Sequence, residues 1–267
     1  MSRQKTDTEI INHKTSAVNK LSSYLDELIS SSDPMDKGRA DKLSYWIEDY
    51  ANFLKKEKTF DSCKVIRYKK GDIVKLHLGY RIGREEGGLH FAVVLDANNA
   101  KSSDTITVIP LTSMKPGKIP HRNSVVLGNE LFRLVIGKHD KLARQIEIDS
   151  AACIERMNKL KECIEESRNQ NNDMELKQYF SELDRQTTMI TNLNKNLSAC
   201  EEMRKSILKM KNGSVALVDQ ILTISKIRIY DPVYSANVLY GIRLSPSTMQ
   251  LIDQKVAELF LGVSTQK

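Results

Sequence analysis

Apolar positions recur every three or four residues near the start of the chain, bunch into short runs in the middle, then recur helically again. In "EIINHKTSAVNKLSSYLDELI", Ile10, Val18, Leu21, Leu25 and Leu28 fall near a 3.6-residue period, which predicts an amphipathic helix. "SSSDPMDKG" interrupts it. Asp33 suits an N-cap and Pro34 the first position of a second helix. That helix carries Leu43, Trp46, Ile47, Tyr50 and Leu54 on one face. Both apolar faces need burial.

From about 64 to 136 the pattern becomes β. "GDIVKLHL" alternates in part, and "HFAVVLD" and "TITVIPLTS" are short branched-residue runs bounded by turn residues. Continuous apolar strands suit a small barrel covered on both sides. Roughly 144–211 reads as helical, with no glycine or proline between Lys138 and Asn212. One helix runs from about Asp149 to Arg168 with Ile154, Met157, Leu160 and Ile164 inward. Its partner carries Leu176, Phe180, Leu183, Thr187, Ile190 and Leu197, and "NQNND" (169–173) is the turn. Such a charge-rich hairpin reads as a solvated protrusion or a dimer contact. After it, "SVALVDQILTISKIRI" returns to β. "SPSTMQLIDQKVAELFLG" closes the chain as a helix, with Ser247 as N-cap and Met249, Ile252, Val256, Leu259 and Phe260 in its stripe. The expected fold is α+β, with segments 1–60 (helical), 61–143 (first β part), 144–212 (inserted hairpin) and 213–267 (last strands and helix).

Composition narrows this only a little. The 267 residues are 40% hydrophobic and 28% charged, a globular balance rather than a disordered one. No run approaches a membrane span, and the first residues lack an apolar leader core, so a cytoplasmic protein is expected. Cys63, Cys153, Cys163 and Cys200 form no CxxC pair, which leaves no zinc signature; they read as reduced and mostly buried. No cofactor is implied. A net charge of +7 is compatible with a polyanionic partner such as nucleic acid.

The stretch "KKGDIVKLHLGYRIGREEGGLHFAVVLD" resembles the N-terminal signature of the PemK/MazF family of toxin ribonucleases. "TITVIPLTS" is similar to that family's next core strand, and "SVALVDQILTISKIRI" to its later segment, so the resemblance covers 64–136 and 213–262. It implies a small SH3-like β-barrel that often forms a homodimer. It implies metal-independent cleavage of single-stranded RNA, in which the 2′-hydroxyl attacks the adjacent phosphate to leave a cyclic phosphate and a 5′-hydroxyl. It also implies a protein antitoxin that covers the RNA groove.

That reaction needs one group to remove the 2′-OH proton, another to protonate the leaving 5′-oxygen, and donors or cations for the phosphorane. The family pattern places an arginine and a proline after its double glycine; the matching positions here are His90 and Phe91. Arginine stabilises charge but is a poor base, whereas histidine titrates near neutrality and transfers protons. His90 is therefore the candidate general acid or base. Thr112, with Ser113 beside it, is the candidate phosphate hydrogen-bonder. Arg81 and Arg84 would supply positive charge, and Glu85, matching the family's loop glutamate, would orient a neighbour or act as a second acid–base group. Gly87 and Gly88 would let backbone approach the ligand. Lys115, in the basic loop "SMKPGKIPHR", would track phosphates, and Gln220 and Thr223 match surface positions that contact RNA or pair the sheet. Two other readings stay open: a catalytically silent nucleic-acid-binding relative, and a protein-interaction module built on the hairpin. A further expectation is that the hairpin covers the RNA groove as a built-in inhibitor.

Overall fold

The computed structural model describes residues 5–115, 117, 119–169, 173–211 and 213–263. Lys118 and the central turn residues 170–172 lie outside this set. The chain divides into two units: residues up to Phe60 together with Leu78–Gly88, and Asp61–His77 together with Leu89 onward.

The first unit holds two helices, α1 (Asp7–Ser30) and α2 (Pro34–Glu57). Thr6 and Glu9 close a capping box at the start of α1, satisfying two otherwise orphaned amides. Asp33 caps α2 through the Met35 amide, with Pro34 at its first position, as the local signal predicts. Coverage of the apolar stripes is partial. Leu28, Ala40 and Leu43 are buried, while Ile10, Val18, Tyr50 and Leu54 are exposed.

The second unit is built on seven antiparallel strands: β1 (Ile73–His77), β2 (Leu89–Val94), β3 (Thr105–Ser113), β4 (Ser124–Gly128), β5 (Ser214–Leu217), β6 (Leu222–Ser225) and β7 (Ile229–Asp231). Their order is β4-β5-β3-β2-β1-β7, with β6 also on β3. β3 is nine residues long, and its Val108–Leu111 stretch pairs with β2 on one edge. On the other edge, Leu111–Ser113 pair with β5 and Thr105–Val108 with β6. β5 and β6 thus lie end to end along one edge. β6 lengthens that edge instead of bridging β4 and β7, and the described sheet stays open rather than closing into the expected barrel.

Three helices complete this unit: α3 (Glu130–Asn169), α4 (Asp173–Lys209) and α5 (Pro246–Leu261). α3 begins well before the expected 144, in a stretch whose branched residues read as β. Leu131 and Val135, one turn apart, are both buried in the core shared with β-strand residues Val93, Ile109 and Ala216. Burying that face outweighs the roughly 1 kcal/mol cost of Gly137 within the helix. Met203 of α4 joins the same core, so the roots of the hairpin are anchored in the sheet.

Farther out, the buried seam runs through Cys153, Leu160 and Ser167 of α3 and Gln186 and Cys200 of α4, a seven-residue spacing. Ile154, Phe180, Ile190 and Leu197, expected inward, are instead exposed at 40% or more. Of the cysteines, Cys63 is exposed and Cys163 only partly covered, so "mostly buried" holds for two of four. α5 is capped by Ser245 rather than Ser247, because Pro246 fixes the first helical position and its predecessor becomes the cap. Glu130 ties α3 to this cap, accepting from the Ser245 amide at 2.6 Å and from the Thr248 hydroxyl. No described helix is long and apolar enough to cross a membrane.

Candidate active site

Where the β2–β3 ladder ends, polar chemistry collects. Phe91↔Leu111 is its last pair, and His90 and Thr112 are the next residues toward that end. His90 Nδ1 lies 3.2 Å from the Leu111 carbonyl oxygen. A carbonyl only accepts, so Nδ1 carries the proton in this contact, and Nε2 is the acceptor nitrogen of the neutral ring. His90, Thr112 and Ser113 line one cavity of about 340 Å³, within the size range of small-ligand sites. Apolar walls come from Leu89, Phe91, Leu111, Leu131 and Met210.

The cations of this cavity come from a direction that the sequence reading did not weigh. Lys209, the last residue of α4, and Lys211 line it with Ser214. Their placement follows from pairing: Ser113 faces Ser214, Thr112 faces Val215, and the Met114 amide donates to the Gly213 carbonyl at 3.0 Å. A signal was present in "KSILKMK", with lysines at 205, 209 and 211 immediately before a strand. On a helix rich in charge it reads as a solvated face.

A second cavity of about 550 Å³ shares Leu89, Phe91, Lys209 and Met210 with the first and continues to Lys75, Lys205, Tyr230 and Asp231. Lys205 is held by Glu202 at 2.8 Å. Asp231 accepts the Leu239 amide at 2.8 Å. Burial raises its carboxyl above the ordinary 3.8, against the lowering effect of the Leu239 and Val238 amides and of Lys138 and Lys75. The folded state therefore holds this proton more tightly than the unfolded chain. The associated stability is present at low pH and is lost as pH rises from 3.8 through the raised folded value. Asp231→Asn keeps an oxygen for the Leu239 amide but cannot ionise. Its unfolding free energy should gain on wild type as pH rises from 3.8 through the raised folded value. Urea titrations across that range check this; a difference independent of pH would count against it.

The remaining candidates lie elsewhere. Lys115 follows β3 but does not line either cavity. Gln220 sits in the short 3₁₀ turn Val218–Gln220. Thr223 lies on β6, its hydroxyl 3.0 Å from that of Thr107, toward the opposite end of β3 from Thr112. Arg81, Arg84, Glu85, Gly87 and Gly88 belong to the loop Leu78–Gly88 in the first unit. There the Leu78 amide donates to Gly88 and the Gly88 amide to Gly79, at 2.7 and 2.8 Å, which closes the loop neck. Gly88 has φ +85°, and a Cβ on Gly87 would stand 2.8 Å from the Gly79 carbonyl oxygen, so both glycines are demanded by conformation. Arg81 donates from Nε to the Leu78 carbonyl at 3.0 Å and pairs with Glu85 at 3.4 Å.

Residues 69–178 match the family described as PemK-like, MazF-like toxin of type II toxin-antitoxin system. The chain carries a PemK/MazF-like toxin domain. The match takes in the glycine-rich loop, His90, Thr112 and all of α3, and ends before the third similar stretch at 213–262. The strands beyond the match nevertheless complete the sheet of the PemK/MazF-like domain, since β5 and β6 pair with β3 and β7 with β1. No curated protein matches the chain.

Several positions in the stretches that resemble the family hold the fold. Asp72 accepts the Lys69 amide at 2.7 Å and pairs with Arg243 at 2.7 Å. Gly71, with φ +84°, packs against Arg243 and Met249. Lys226 is 2% exposed and donates to the Ala100 carbonyl, and Arg228 donates to that of His77.

Proposed function

We propose that the chain is the toxin of a type II toxin–antitoxin system and cuts single-stranded RNA without a metal ion. The observation that carries this is His90, its Nδ1 committed to the Leu111 carbonyl, in one cavity with Thr112 and Ser113. In this reading, Nε2 of His90 takes the 2′-hydroxyl proton or returns one to the leaving 5′-oxygen. The 2′-oxygen forms a bond to phosphorus as the bond to the 5′-oxygen breaks, giving a 2′,3′-cyclic phosphate and a 5′-hydroxyl. Thr112 and Ser113 hydroxyls donate to the phosphate oxygens as charge builds. Glu85 orients Arg81 through their ion pair instead of moving a proton.

The open sheet stands for the SH3-like barrel implied by the resemblance, the chain works in the cytoplasm as a homodimer, and an antitoxin covers the groove. The test is labelled single-stranded RNA incubated with the protein in EDTA, with product ends mapped. Cyclic-phosphate ends are expected, and a 2′-deoxynucleotide at the cut site should stop cleavage while leaving binding. RNA that is bound and never cut would replace this reading with the silent nucleic-acid binder.

A further inference from the structure

We infer that Lys209, with Lys211 beside it, is the cation that stabilises the scissile phosphate, so the inserted hairpin completes the active site. This rests on the RNA-cleavage reading above. Transfer at phosphorus builds negative charge on the non-bridging oxygens, and a positioned cation in a partly water-excluded site lowers that barrier. The histidine cavity has two lysines in its lining, both delivered by the end of the hairpin. Neither forms an ion pair among the described residues, whereas Lys205 one turn earlier is committed to Glu202.

Lys209 has a second property. It lines both cavities, at the join where Leu89, Phe91 and Met210 are also shared. A dinucleotide with one nucleoside in each cavity would place its bridging phosphate at that join, beside His90 in the first cavity. Phe91 at the join and Tyr230 in the second cavity offer aromatic faces for bases, a sequence-tolerant contact.

The Met114–Gly213 hydrogen bond and the Ser113–Ser214 pairing fix the chain two residues after Lys211. Lys209 is held by the buried Met203 and half-buried Ile207 and Met210 around it, which belong to the sheet's core. The hairpin thus delivers charge to the site, the opposite of the inhibitory cover expected from its insertion.

Lys209→Ala, Lys209→Arg and the Lys209→Ala/Lys211→Ala double variant test this in the full chain, with Lys159→Ala as an equal charge change in mid-hairpin. Single-turnover cleavage by Lys209→Ala should fall about 10²-fold or more, with Arg restoring most of it. Affinity for the same RNA blocked by a 2′-deoxynucleotide should fall less than about 10-fold. The slope of log affinity against log salt should drop by about 0.7 for each phosphate contact removed. Lys159→Ala should match wild type. Cleavage by the double variant at the wild-type rate with an unchanged salt slope overturns the lysine assignment alone. A wild type that cuts no RNA overturns the reading beneath it.

Discussion

His90→Ala is expected to slow RNA cleavage by about 10²- to 10⁴-fold while RNA binding persists, the range for losing a positioned acid–base group. The expectation comes from the tautomer. The Leu111 carbonyl accepts a hydrogen bond from Nδ1–H, which leaves Nε2 as the basic nitrogen of the neutral ring. His90→Asn separates the two roles of the side chain. Its amide can still donate to the Leu111 carbonyl, which preserves the strand end, but it cannot exchange a proton near neutrality. Asn should therefore be as inactive as Ala, measured by single-turnover cleavage with labelled RNA. Activity restored by Asn would make His90 a strand-end fixture and end its assignment as acid or base.

Leu131→Ala is expected to cost about 2–5 kcal/mol of stability, the range for deleting a buried leucine side chain. Leu131 is 1% exposed at the start of α3, in a core with Val125, Leu127, Val135 and Met203. It is also part of the wall of the histidine cavity. The cavity left behind would lie where the root of the hairpin meets the sheet, with neighbours from strands and helices that cannot all move in. A chain of this length loses roughly 2–4 °C of Tm per kcal/mol, so a drop of several degrees should be plain in thermal or urea unfolding. Ile154→Ala, at a position 62% exposed, is the matched comparison and should stay within about 0.5 kcal/mol of wild type. Equal effects of the two substitutions would mean that the hairpin root is not the seat of stability.

What local chemistry decides was legible in the sequence. Asp33 and Pro34 start α2 because a cap and a preset φ act within three residues. The hairpin could be read from its uninterrupted periodicity, whereas His90, Thr112 and Ser113 were singled out through the family resemblance rather than by local chemistry. What long-range packing decides was not legible. The apolar run at Leu131–Ile136 fits a strand or a helix equally by periodicity, and only burial of the Leu131–Val135 face against the sheet settles it. The hairpin seam is one such case: Gln186 is buried and Ile190 exposed, an inversion of hydropathy that heptad geometry imposes. Lys209 and Lys211 were missed because their place in the cavity depends on β5 pairing with β3, a contact between residues about a hundred positions apart. Thr223 pairs along the other half of β3, and Gln220 sits in the turn between β5 and β6.

The interleaving of β5 and β6 on β3 carries a consequence for how the chain is made. Thr112 acquires its neighbour Val215 only after the whole hairpin has been synthesised. A nascent chain, or one cut short by a premature stop at the end of the family match, contains His90 and Thr112 but lacks β5, β6, β7 and both cavity lysines. The histidine cavity therefore cannot form on the ribosome until the chain as far as Ser214 has emerged. Under the RNA-cleavage proposal, this order of assembly would hold back cutting until the strands after the hairpin have been made.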